Sequence, residues 1–153
     1  MHCLFVKAPF AGWIVDGVKL IEYRTKSTNI RGRIGIIESG TGTVIGDVEL
    51  VNSVYNSTQN MYTWLLRSPR RYAKPIAFEH KHGCVTWAIL DIDPEKQQIA
   101  PRLDSKNFKR ETRAYREMLD SWLLEHTQHQ GERMLEHTQH LVERMAGNIP
   151  EVE

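Results

Sequence analysis

Three charged residues fall close together in a short apolar segment: Lys19, Glu22 and Arg24 in DGVKLIEYR, residues 16–24. Read as a strand, Val18 to Thr25 sets Leu20, Glu22 and Arg24 on one face and Ile21 and Tyr23 on the other. The carboxylate and guanidinium then stand side by side. Such a pair, once partly buried, orients itself and leaves N–H donors for a base edge or a phosphate. Lys19, where the chain enters the strand, offers a compact cation for a phosphate. In a dry cleft its pKa falls, and the amine becomes a base or a nucleophile with Glu22 as proton shuttle. A structural salt bridge and a solvated lysine are the plain alternatives.

Other residues extend or compete with this cluster. Trp13, Tyr23, Trp64, Tyr72 and Trp87 are candidates to stack on a base, with core packing as the rival reading, strongest for Trp64 and Trp87. RSPRRYAK brings Arg67, Arg70, Arg71 and Lys74 next to Tyr72, a pattern that holds phosphates and stacks a base; a soluble loop is the alternative. Lys26 and Arg31 lie near the motif and extend the same surface. His80 and His82, in HKHG, titrate near neutrality but read first as exposed turn residues.

The 153 residues carry a net charge of +1, with 41% hydrophobic and 25% charged residues, the profile of one globular domain. The charge is polarised along the chain. Residues 67–82 hold Arg67, Arg70, Arg71, Lys74 and Lys81 against Glu79, a net +4. Residues 102–116 hold Arg102, Lys106, Lys109, Arg110, Arg113 and Arg116 against Asp104 and Glu111, again +4. Residues 117–153 total −6. Basic segments ahead of an acidic tail suggest an anionic partner; for 102–116 a solvated helix face weighs equally. Cys3 and Cys84 match neither a disulfide scaffold nor a zinc pattern, which points to a reduced, cytoplasmic protein. No segment reads as a signal peptide or a membrane span. No cofactor is expected.

The elements that must position the cluster follow from periodicity. CLFVKAP reads as a strand, and PFAGWIVDG as a short helix with Pro9 at its start and Gly17 beyond its end. Strands follow at 18–25, 33–39 and 43–55, with Gly46 a candidate bulge. TQNMYTWLLRSP reads as a short helix with Met61, Trp64 and Leu65 inward. YAKPIAFEH, CVTWAILDI and IAPRL read as further strands. Five or six short strands with two short helices suggest an α+β fold, either a small barrel or a strongly curved sheet. From Asp104 or Ser105 a long helix begins, with Phe108, Tyr115 and Trp122 on one stripe that packs on the domain or on a second chain. This sets a domain at 1–104 and a helical extension at 105–153. The extension repeats LEHTQHQGERM as LEHTQHLVERM, with Gly131 a candidate break. The copies place His126 and His129 roughly 16 Å from His137 and His140, too far to share an ion, so a lengthened helix rather than a metal site is expected.

The stretch PFAGWIVDGVKLIEYRTKSTNIRGRIGIIESG resembles the opening of ASCH domains, a branch of the PUA-like superfamily. The motif Gly-x-Lys-x-x-Glu-x-Arg is met by Gly17, Lys19, Glu22 and Arg24, and an Arg-Gly before an apolar strand by Arg31 and Gly32. The resemblance continues through VIGDVELV and, more loosely, to about residue 102. It implies a PUA-like β-barrel of five or six strands with short flanking helices, and a ligand cleft at the motif. It also implies an RNA or modified-nucleoside ligand in a cleft lined by Lys19, Glu22 and Arg24; the reading of the residues themselves adds Trp13, Lys26, Arg31, Arg70, Arg71 and Tyr72 to the expected ligand-binding set. Some relatives resemble N4-acetylcytidine amidohydrolases and others ribonucleases, so a hydrolase using Lys19 and Glu22 is the alternative. In the amidohydrolase branch the position of Glu22 looks like a threonine; here only Thr25 and Thr28 are near. A third reading is a protein-interaction module acting through the long helix, including a homodimer.

Overall fold

The computed structural model describes residues 1–83 and 86–146, with side chains through Glu125. In chain order it runs β1 (His2–Val6), α1 (Phe10–Val15), β2 (Ile21–Arg24), β3 (Gly32–Glu38), β4 (Thr43–Asn56), β5 (Met61–Ala77) and β6 (Trp87–Ile89). A single 3₁₀ turn (Pro94–Lys96) and α2 (Ser105–Ala146) complete it. Two compact units are distinguished, Met1–Tyr115 and Arg116–Glu153, so the first turns of α2 belong with the sheet. The helical assignment continues through Gly131. The side chains of the duplicated histidines lie outside the described residues.

The six strands form one sheet in the order β2-β5-β4-β3-β1-β6. The expected barrel is therefore not present: the sheet is open, with β2 and β6 as unpaired edges. The physical reason is edge length. β2 has four residues and β6 three, each is paired along one edge only, to β5 and β1 respectively, and strands this short offer little outer edge for closing the sheet. The sheet is nonetheless curved, since Arg24 on β2 donates to the Phe5 carbonyl on β1 at 2.8 Å. Trp64 on β5 also stacks on Trp87 of β6, 5.7 Å between centroids.

A second correction concerns residues 58–69. They are not a helix: residues 58–60 finish the β4–β5 turn, and from Met61 the chain is β5, paired to β2 on one side and β4 on the other. Trp64 and Leu66, two apart, are the buried pair, so a period of two outweighs the helical spacing of Met61, Trp64 and Leu65. RSPRRYAK accordingly lies within β5 rather than in a loop after a helix. IAPRL contributes only an isolated bridge, Ile99 to Tyr72.

Local chemistry explains the turns. Gly40 and Gly42 take positive φ at the β3–β4 turn. The Asn56 side chain accepts from the Thr58 and Gln59 amides at the β4–β5 turn. At Gly46 the β4 backbone passes so close to β5 that a Cβ would meet the Arg70 carbonyl and Val15. The main core packs α1, through Ala11, Ile14 and Val15, onto Leu4, Ile36 and Val48 of the sheet. A smaller cluster of Cys3, Ile37, Val44 and Tyr72 covers the other face. Burial on both faces holds the strands next to the motif in register. Among the described residues no helix is long and apolar enough to cross a membrane.

Candidate functional site

The motif is placed by the end of α1. Gly17 takes φ +78°, and the Val18 and Lys19 amides both donate to the Trp13 carbonyl, at 2.9 and 3.1 Å. This turn carries the Lys19 side chain inward just before β2. Lys19 is 4% and Glu22 8% exposed. The Lys19 ammonium donates to Glu22 Oε2 at 2.5 Å and to the Ile21 carbonyl. Arg24 Nε donates to Glu22 Oε1 at 3.0 Å, so one carboxylate bridges two cations. The Phe10 ring lies 5.9 Å from the Lys19 ammonium, and the Trp64 ring 5.7 Å from the Arg24 guanidinium.

The cluster carries one net positive charge in a nearly dry setting. Burial pushes the Lys19 pKa below the ordinary lysine value, Glu22 opposes that fall, and Arg24 adds to it. Both Glu22 oxygens are occupied. Lys19 retains a third N–H, and the Arg24 Nη1 group makes no described hydrogen bond. The uncommitted groups of the two cations are therefore donors, and the most accessible member of the cluster is Arg24, with 23% of its side chain exposed.

Trp13 and the first turns of α2 form the adjoining wall. Trp13 is buried; its Nε1 donates to Glu111 Oε2 at 3.0 Å, and its ring meets Phe10 at 5.8 Å and Tyr115 at 5.5 Å. The Tyr115 phenol is pushed above its usual pKa, first by burial and then by Tyr23 and Glu22 nearby. Glu111 is held below the usual carboxylate range by hydrogen bonds from Trp13 and Arg110. The start of the long helix thus packs on the domain beside the motif.

The remaining candidates are elsewhere or otherwise engaged. Lys26 is exposed, and its carbonyl accepts from Trp64 Nε1 at 3.1 Å. Arg31 clips the loop before β3 to β4, donating to the Thr28 and Ile30 carbonyls and to Asn52 Oδ1. Arg71 makes a two-pronged contact with Asp16, at 2.7 and 2.8 Å. Arg70 makes another with Asp47, at 2.8 and 3.0 Å. Tyr72 is 2% exposed and donates to Asp47 Oδ2 at 2.7 Å; burial and that carboxylate raise its pKa well beyond the ordinary tyrosine value. Asp47, fully buried, also receives Arg33. The structure thus gathers Lys19, Glu22 and Arg24 with Trp13 alongside, whereas Arg70, Arg71 and Tyr72 belong to a separate network bracing β4 and β5. Thr28 accepts from the Ile30 amide through its hydroxyl. Sequence reasoning passed over Asp47, Glu111 and Phe10; a lone acid inside VIGDVELV was the available signal for Asp47. Among the described residues no His, Cys, Asp and Glu group could hold a metal ion.

An open, curved sheet with a Lys–Glu–Arg cluster at the α1–β2 junction defines the class. The ASCH domain model matches residues 4–136, and the chain belongs to this family, within the PUA-like superfamily. The match runs beyond the sequence resemblance, well into α2. Among solved structures, an ASCH protein from Zymomonas mobilis is similar at 21% identity, with TM-score 0.43, covering 50% of this chain and 72% of that one. Its tyrosine-to-phenylalanine variant (TM-score 0.43, 50% and 74% covered) and serine-to-alanine variant (0.42, 50% and 72%) are also 21% identical. No curated protein matches the sequence.

Proposed function

We propose that the chain binds RNA or a modified nucleoside through Lys19, Glu22 and Arg24, with Trp13 in the adjoining wall. The observation that carries this reading is the surplus of donors in the cluster: each Glu22 oxygen already accepts from Lys19 or Arg24, and Arg24, the most exposed of the three side chains, keeps its Nη1 group outside the described hydrogen bonds. Such a set favours carbonyl oxygens, ring nitrogens and phosphate oxygens over donors. A nucleobase with an exposed carbonyl edge supplies them. Family membership supports the same partner class.

The test is anisotropy of a labelled single-stranded RNA with wild type, Arg24→Gln and Lys19→Met. Losing charge-assisted hydrogen bonds weakens binding roughly tenfold or more. Unchanged affinity in both variants overturns the reading. A hydrolytic version is favoured by one observation, the burial-lowered pKa of Lys19, which raises its neutral fraction. In that version water cleaves the amide of N4-acetylcytidine to cytidine and acetate. Chromatography after incubation decides it: cytidine formed by wild type but not by Lys19→Met supports an enzyme, and no cytidine rules that substrate out.

A further inference from the structure

The arginines on the strands and the cations at the start of α2 differ in how they are paired. On the strands, Arg33 and Arg70 are paired with Asp47, Arg67 with Glu49, Arg71 with Asp16 and Arg24 with Glu22. On the first turns of α2 the situation is reversed. Lys106, Lys109, Arg110 and Arg113 are all exposed. Among the described residues only Arg110 has an acidic partner, its neighbour Glu111 at 3.2 Å.

Their spacing, i, i+3, i+4 and i+7, puts them on one face of the helix, within an arc of about 100° and a length of about 10 Å. The opposite face carries Glu111 and Tyr115, which meet Trp13. Local electrostatics disfavours this arrangement. Every i,i+3 and i,i+4 pair within the stripe joins like charges, which destabilises a helix. Asp104 caps the helix by accepting from the Asn107 amide, but the first turn itself contains no acid, and Lys106 stands at the positive end of the helix dipole. A stripe that works against its own helix is explained by a polyanion that neutralises it.

We infer that this face of α2 is the track for the backbone phosphates of a single-stranded RNA. The inference deepens the proposed function and rests on its RNA partner. It moves the phosphate contacts from Arg70 and Arg71, which are committed to Asp47 and Asp16, to the helix that also walls the candidate site.

The experiment titrates the full chain against a labelled short oligouridylate across a salt series. Its variants are the triple change Lys106→Gln, Lys109→Gln and Arg113→Gln, and the charge-preserving set Lys106→Arg, Lys109→Arg and Arg113→Lys. Each phosphate contact on a single strand contributes about 0.7 to the slope of log K against log salt, so the triple change should flatten the slope by about 2. The charge-preserving set should keep it, which separates charge from folding. Arg24→Gln should weaken binding without changing the slope by that amount. If the triple change leaves the slope intact while Arg24→Gln still weakens binding, the track is overturned and the cleft stands. If the triple change flattens the slope but Arg24→Gln has no effect, the track stands without the cleft. If wild type binds no RNA, both fall. A triple variant with unaltered RNA binding but altered sedimentation also overturns the track, and assigns the stripe to an acidic segment of a second copy.

Discussion

Replacing Glu22 by glutamine tests the electrostatics of the cluster with minimal change of shape. Glu22 bridges Lys19 at 2.5 Å and Arg24 at 3.0 Å, and Lys19 is 4% exposed. Glutamine removes the charge and turns an NH₂ donor toward one of two other donors. Breaking a buried ion pair by removing one partner costs about 3–5 kcal/mol. The partly exposed Arg24 can turn to water, so the lower end, about 3 kcal/mol, is expected at pH 6. In a unit of this size that lowers Tm by about 10 °C. The pH dependence carries a definite sign. The folded pKa of Lys19 already lies below the ordinary value of 10.5, mainly through burial. Between the two values the unfolded chain binds more protons, so stability rises with pH across that window. Below the folded pKa the buried charge exerts its full penalty. Glu22→Gln extends the window downward, because the opposing carboxylate is lost. The deficit of Glu22→Gln relative to wild type should therefore shrink as pH rises from 6 toward 10. Adding Lys19→Met removes the orphaned charge and should recover most of the stability. Urea unfolding of wild type and the two variants at several pH values is the assay. A deficit that does not change with pH, or a double variant no more stable than Glu22→Gln, refutes the reasoning.

Asp47→Asn should cost about 3–5 kcal/mol in urea unfolding, because Arg33, Arg70 and Tyr72 converge on a carboxylate with no exposed surface; a variant as stable as wild type contradicts that role. Gly46→Ala should lower Tm by the equivalent of at least ~1–3 kcal/mol, since its Cβ would meet the Arg70 carbonyl and stand 2.7 Å from Val15 Cγ1. An unchanged melting curve would mean that the strands separate there at little cost. Burial pushes the Cys3 thiol up to about 11, so iodoacetamide at pH 8 should label it slowly until the chain unfolds, as read by peptide mapping. Rapid native labelling of Cys3 counts against its burial.

The sequence-level reading reached furthest where one signal had one meaning. Alternation in DGVKLIEYR set Glu22 and Arg24 on one face, and they pair there. Pro9 and Gly17 bracketed α1, and the change of period near Ser105 marked the start of α2. It failed where two periods fit the same residues. Met61, Trp64 and Leu65 satisfy helical spacing, but pairing with β2 and β4 selects the strand that buries Trp64 and Leu66. The barrel was expected from a count of strands and from family resemblance; closure depends on edge strands long enough to pair, which a strand count does not reveal. Arg70 and Arg71 looked available for phosphates because their partners, Asp47 and Asp16, are distant in sequence. The role of α2 as a wall was hidden likewise, because Glu111 and Trp13 are 98 positions apart.

The most direct test of the Lys–Glu–Arg cluster as a ligand site follows the Lys19 ammonium itself. Side-chain nitrogen NMR of lysine-labelled protein, with the Lys19 signal assigned by Lys19→Met, should show that resonance shifting saturably as single-stranded RNA is added. A Lys19 signal that stays in place while RNA saturates the protein would contradict the assignment of the cluster as the binding site.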